Sequence, residues 1–433
     1  WPQISARQPD LWIWAGDNIY GDIYAGIKPL PFPHGKFAPG PPDRLRRLYA
    51  EQLRNMDYSR FLNSSVPMLA TWDDHDFGLD NGDGHTYPYR DESQAAFLDF
   101  IGEPPESPRR RQRGVYTSQL VDFGAMGELG RKVLVVLLDM RYSKDPYGVP
   151  DGDFLGEAQW EWLDRTLAQS EADVHLIVSS LQLLQSRNVV GESWVRFPAA
   201  RKRLLSLLAR RNVSAPIVLS GDVHFAELGM GHCSGGQLLE VTSSGMTHSI
   251  GTKSGCRPNP VTDFAAARGF ELAMRVMPWR YQLADAGTGA PQYYAGTNFG
   301  ELEFDWPSRS VGVRIFGEGG ALQLSQAFLL DDLGIGRAGA LGAEDFGPLG
   351  GEPSALRVGL GVAICASVPL LMMLLCIAAS WRLGRRALRL ARASRSDCSD
   401  SEGQDSQSEA SESGSESGDD QEARAQARPL RRG

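Results

Sequence analysis

Four short apolar runs, each of strand length and each followed at once by acidic residues or His, constrain this chain most. Leu11-Trp12-Ile13-Trp14-Ala15 leads into Gly16-Asp17-Asn18-Ile19-Tyr20, and Val66-Pro67-Met68-Leu69-Ala70-Thr71-Trp72 leads into Asp73-Asp74-His75-Asp76. Val133 to Leu138 leads into Asp139-Met140-Arg141, and Ile217-Val218-Leu219-Ser220 into Gly221-Asp222-Val223-His224. Between these runs, Asp43 to Met56, Glu157 to Ser170 and Pro198 to Arg211 carry apolar residues at helical spacing. Continuous apolar strands alternating with helices predict an α/β fold whose sheets are buried on both faces. Neighbouring strand ends lie side by side in such folds, so the Asp and His residues are expected to converge on one small volume.

Crowded carboxylates repel, and an unpaired buried charge is costly. Divalent or trivalent cations resolve both problems. Two cations sharing a carboxylate, about 3.5–4 Å apart, are the usual arrangement for hydrolysing phosphate esters. Asp17, Asp74, Asp222 and His224 are the residue types such a site needs, at the places it needs them. One Asp at a strand end is more often a helix or turn cap; three such motifs, each straight after an apolar run, are poorly explained that way. The bulk composition (42% apolar, 22% charged) is that of a globular enzyme. A net charge of -9 and the lack of a basic patch argue against nucleic acid as partner and against a nuclease.

Gly16-Asp17-Asn18-Ile19-Tyr20-Gly21-Asp22, Trp72-Asp73-Asp74-His75-Asp76-Phe77-Gly78, Leu138-Asp139-Met140-Arg141-Tyr142 and Ser220-Gly221-Asp222-Val223-His224 resemble the successive motifs of the PhoD-like (alkaline phosphatase D-type) metallophosphatases, in the family's order. Gln159-Trp160-Glu161-Trp162-Leu163, Ser179-Ser180-Leu181-Gln182 and Glu240-Val241-Thr242-Ser243-Ser244-Gly245 extend the match over nearly all of residues 1–330. The resemblance implies a four-layer αββα metallophosphoesterase-like sandwich with iron and calcium as cofactors. It also implies hydrolysis of phosphate mono- or diesters by a metal-activated hydroxide at a two-metal site. Under it Asp17 bridges the metals, Tyr20 binds iron, and Asp74, Asp222 and His224 complete the metal shell. His75 sits at the phosphate or leaving group. Asp73 is a ligand or a ligand's partner, and Arg141 clamps a phosphate oxygen or pairs with an acid. The family's Gly-Ser-Cys on its first strand has no match before Asp17, so the chain is expected to be N-terminally incomplete. The alternative class is a catalytically inactive membrane receptor or adhesion domain on the same fold.

Val358 to Trp381 contains no charge over 24 residues, more than the roughly 20 a membrane-crossing helix needs. Arg382, Arg385, Arg386, Arg389, Arg392 and Arg395 follow it, which predicts a single-pass type I protein with residues 1–330 extracellular or lumenal. Residues 331–357 read as a Gly- and Ala-rich linker, and 382–433 as a basic juxtamembrane segment and an acidic, Ser-rich tail that does not fold. Ser399-Asp400-Ser401-Glu402 suits an acid-directed kinase, or the tail is a solvated spacer. In an oxidising compartment Cys233 and Cys256 would form a disulfide, and Asn63-Ser64-Ser65 and Asn212-Val213-Ser214 fit the N-glycosylation pattern. His34, His85 and His175 read as surface or loop residues, and His248 as structural or near the pocket.

Overall fold

A computed structural model describes residues 1–28, 34–126, 130–185, 192–233, 236–251, 268, 270–272, 274, 281–285, 287–335, 347–348, 359–360 and 363. Packing separates Trp1–Leu370 from Leu371–Gly433, and the second unit lies outside the described residues. So do all but Gly359, Leu360 and Ala363 of the expected membrane span, and Cys256. Among the described residues no helix is long and apolar enough to cross a membrane.

The strands are β1 (Trp12–Ala15), β2 (Ile23–Lys28), β3 (His34–Ala38), β4 (Met68–Thr71), β5 (Thr117–Asp122), β6 (Lys132–Leu137), β7 (Val174–Val178), β8 (Pro216–Ser220), β9 (Ala226–Cys233), β10 (Gly236–Ser243), β11 (Tyr293–Tyr294), β12 (Phe299–Asp305), β13 (Ser310–Phe316), β14 (Leu322–Leu329) and β15 (Gly347–Pro348). The helices are α1 (Pro2–Ala6), α2 (Pro42–Arg54), α3 (Met56–Leu62), α4 (Asp74–Phe77), α5 (Arg90–Phe100), α6 (Gly156–Ala168) and α7 (Pro198–Arg210). The three helices expected from periodicity are α2, α6 and α7. In α6, Trp160, Leu163 and Leu167 form the buried stripe that helical spacing demands. Proline opens α2 and α7, where its missing N–H costs nothing. Asn55 caps α3 by accepting from the Asp57 and Tyr58 amides.

One mixed sheet runs in the order β11-β9-β10-β8-β7-β6-β5, with β15 also on β9. Its centre, β6-β7-β8-β10, is parallel, and every residue of β7 is buried because both faces are covered. On one face, Leu134, Val136 and Val218 pack against α6 and α7 through Trp160, Leu163, Leu204 and Leu208. On the other, Val133, Val135, Leu176 and Ile217 meet Val311, Val313 and Ile315 of β13 and the inner residues of β1 and β4. Trp14 and Ala70, pointing away from that sheet, pack under α2, α3 and α5 through Leu45, Tyr49, Phe61 and Phe97. The result is a mixed α/β sandwich with helices on both outer faces.

β1 pairs only with β4 among the described residues, and β12 only with β13. The open edges of β1 and β12 face a shared cavity of about 1220 Å³ that reaches Asp17 and Asp222. Contrary to the sequence expectation, His175 is not at the surface but buried in β7, with Nδ1 2.8 Å from the Ser214 carbonyl and Nε2 2.9 Å from Ser170 Oγ.

Candidate metal centre

The four strand ends do meet. β1 and β4 run parallel with Ala15 opposite Thr71, so Gly16-Asp17 emerges beside Trp72-Asp73. The Gly221 amide donates to the Ser180 carbonyl at 2.9 Å, tying the end of β8 to that of β7. Asp17, Asp222 and His224 all have φ between 50° and 68°, a region L-residues seldom occupy and which clusters at functional sites. Asp76 knots the site from below: its carboxylate accepts from the Asn18 and Ile19 amides, the Asn18 side chain, the Asp73 amide and the Tyr49 hydroxyl.

Two sets of ligand atoms lie within 4.8 Å of one another: Asp17, Asp74 and His75, and Asp73, Asp74 and Asp222. Both sets contain Asp74, and Asp17 belongs to the first. The backbone explains the position of Asp74. Its Oδ1 accepts from the His75 amide at 2.9 Å and its Oδ2 from the Asn81 amide at 2.6 Å, which holds the carboxylate between both sets. Beside Asp17, the Tyr20 hydroxyl lies 3.5 Å from Asp17 Oδ2 and 3.3 Å from His224 Nε2. His75 is oriented by Asp22, whose Oδ1 is 3.0 Å from Nδ1.

The electrostatics ask for cations. Burial raises Asp17 and Asp222 well above the usual carboxylate range, with Asp74 and Asp73 adding to the repulsion. Burial likewise lifts Asp73 to about 6 against the pull of Arg141. Asp74 ends low, at about 2, because His75 and Arg141 outweigh its own burial. Burial would lower His75, but Asp74, Asp17 and the bond to Asp22 carry it to about 11. Burial, with His248 and His75 nearby, drops His224 to about 4 and leaves a neutral imidazole suited to ligation. Asp17 Oδ1 and Asp73 Oδ2 are buried without a hydrogen bond. Lone oxygens of this kind fit metal ligands, since buried polar groups are otherwise paired.

The profile described as PhoD-like phosphatase matches residues 1–231, more than half of the chain and a segment containing every residue expected in the site. The chain belongs to the PhoD-like phosphatase family. Alkaline phosphatase D of Bacillus subtilis (strain 168) is 24% identical over 199 residues, which are 37% of this chain and 32% of that protein. The chain thus matches about a third of that relative's length. A solved structure of PhoD superposes with a TM-score of 0.53 at 16% identity, covering 84% of this chain and 73% of that one, a likeness of fold. A purple acid phosphatase from yellow lupin (Lupinus luteus) seeds reaches 0.42 at 13% identity, over 75% and 47%.

In this PhoD-like chain Arg141 is fully buried and engaged with acids. Nε donates to Asp73 Oδ1 and Nη1 to Glu192, while Nη2 stays 3.9 Å from Asp74. Of the two roles open to it, the pairing role is the one the geometry displays. Glu192 also binds Lys144 at 3.1 Å and the Tyr147 hydroxyl, and its amide donates to Asp222 at 3.4 Å. Ser180 Oγ donates to Asp73 at 2.8 Å, and His248 lies against Tyr20 with ring centroids 4.1 Å apart. Glu192, Lys144 and Tyr147 were not foreseen as neighbours of the site; they follow no apolar run and carry no local signal. Asn81 did carry one, since Asp80-Asn81-Gly82-Asp83 resembles the family's Asn-Asp pair in altered order, a departure that kept it out of the expected site.

Gly16 has φ +123°, and a Cβ there would lie 2.7 Å from Asp73 Cβ and 3.2 Å from Ser180 Cβ. Gly16→Ala should therefore push Asp73 out of the cluster, weakening metal retention and lowering the melting midpoint by several degrees. Calorimetry with metal analysis checks this; wild-type values for both would show that the crossing tolerates a methyl group.

Proposed function

We propose that this PhoD-like chain hydrolyses phosphate esters, mono- or diesters, at a two-metal centre held by Asp17, Tyr20, Asp73, Asp74, Asp222 and His224. The observation that carries the reading is the convergence of Asp17, Asp73, Asp74 and Asp222, with Asp17 Oδ1 and Asp73 Oδ2 lacking hydrogen-bond partners among the described residues. A relative named alkaline phosphatase D supports the reaction class. The phenol and imidazole beside Asp17 suit iron, and the all-carboxylate set Asp73, Asp74 and Asp222 suits calcium. Metals bound there would screen the carboxylates and supply a Lewis acid and a hydroxide near neutral pH. His75, oriented by Asp22, faces the phosphoryl group or its leaving oxygen. Arg141 and Ser180 fix Asp73 so that its second oxygen stays free.

Residues 358–381 and the arginines after them place this centre, in our reading, on the outer side of a membrane. Asn63 and Asn212 are both exposed, as glycan acceptors must be.

Purified full chain should carry iron and calcium and hydrolyse phosphate esters. Chelation should reduce the rate at least about a hundredfold, with recovery on adding both metals back. An undiminished rate after verified metal removal would overturn the assignment.

A further inference from the structure

A run of aromatic rings leads from solvent to the metal centre. Tyr24 of β2 and Phe37 of β3 sit opposite each other in the hairpin, with ring centroids 5.7 Å apart. Phe37 meets His75 edge to face at 6.0 Å, His75 lies 4.3 Å from Tyr20, and Tyr20 lies 4.1 Å from His248. Exposure falls from the hairpin inward as far as His75, with Tyr24 57% exposed, Phe37 half-buried and His75 buried; Tyr20 and His248 are half-buried. At its outer end the run leaves a large aromatic side chain in water, beside an exposed Ile23. Charge adds an independent clue: among the hairpin's described side chains Lys36 is exposed and none is acidic. A surface that is aromatic, carries a cation and is continuous with a phosphoryl site fits an anionic ester with a flat, apolar organic group.

We propose that the hairpin ledge of Tyr24 and Phe37 holds the organic group of the substrate, so that the site favours phosphate esters whose alcohol carries an aromatic ring. The proposal rests on the phosphate-ester reading above. The ring is either a simple aryl alcohol or a nucleobase, and both offer a π face to stack on Tyr24 and Phe37.

The test uses metal-loaded full chain with three monoesters: phenyl phosphate, a nucleoside 5′-monophosphate and glycerol phosphate. Tyr24→Ala and Phe37→Leu should lower kcat/KM for at least one ring-bearing ester about tenfold more than for glycerol phosphate, the scale of one lost aromatic contact. The loss should fall mainly in KM. Tyr24→Phe should retain the wild-type ratio, which separates ring stacking from the hydroxyl. Whichever ring-bearing ester responds more strongly identifies the source of the ring. If wild type hydrolyses glycerol phosphate with metals bound but the ratios do not move, the ledge proposal is wrong and the phosphatase reading stands. Where the monoesters are inert, the same ratios are read on the methyl phosphodiesters of the three alcohols; if the metal-loaded chain hydrolyses neither set, both fail together.

Discussion

Asp17→Asn should cost the protein at least about a hundredfold in phosphate-ester hydrolysis while making its metal-free form harder to unfold. The two effects have one origin. Asp17 is a buried carboxylate whose Oδ1 has no hydrogen-bond partner, and burial together with Asp74, Asp73 and Asp76 holds its pKa well above normal. An ionised group with a raised native pKa destabilises the fold at neutral pH, so a neutral amide of the same shape removes a penalty. The charge that strains the empty centre is the charge that would retain cations, and nucleophile generation depends on those cations. Trading activity against stability in this way is common at functional sites. Metal content, steady-state rates and thermal melts with chelator check the pair. A variant with near-wild-type rate removes Asp17 from the metal shell, and one less stable without metal contradicts the charge-strain argument.

Arg141→Met should be the most destabilising single change near the centre. Arg141 is fully buried and is the shared cation of Asp73 and Glu192, with Asp74 3.9 Å away. Those acids lie 68 and 51 residues from it, so one guanidinium ties the end of β4 to the Glu192 loop and to its own place beyond β6. Removing one partner of a buried ion pair typically costs about 3–5 kcal/mol, because the remaining charges stay buried and unpaired. Lys144 compensates only in part, since it reaches Glu192 but donates otherwise to the Asn81 and Gly82 carbonyls. Arg141→Lys should lie between, as a single ammonium lacks the fork that reaches two acids at once. Urea denaturation measures both. A loss below about 1 kcal/mol for Arg141→Met would mean that the acids take up protons instead, leaving Arg141 without the binding role argued here.

The sequence by itself determined the parts governed by short-range patterns. Buried strands must be apolar throughout, so β1, β4, β6 and β8 stood out within two residues of their observed ends. Helices must bury one stripe, so α2, α6 and α7 did too. Each acidic motif follows an apolar run directly, so the sequence brought Asp17, Asp73, Asp74, Asp222 and His224 to strand ends and thus to one expected site; that the strands belong to two facing sheets it did not show. What only the tertiary structure decided depends on which strands become neighbours. Asp74 came to face both Asp17 and Asp222 because the ends of β4, β1 and β8 converge. Glu192 became the counterion of Arg141 though no apolar run precedes it. The edges of β1 and β12 that lack a partner among the described residues came to face one cavity, and the hairpin of β2 and β3 brought Phe37 to His75 with Tyr24 against it. Periodicity reports which face of an element is buried and is silent about what lies opposite. Contacts across 50 or more residues are set by sheet order and crossover path, and those appear only once the chain has closed on itself.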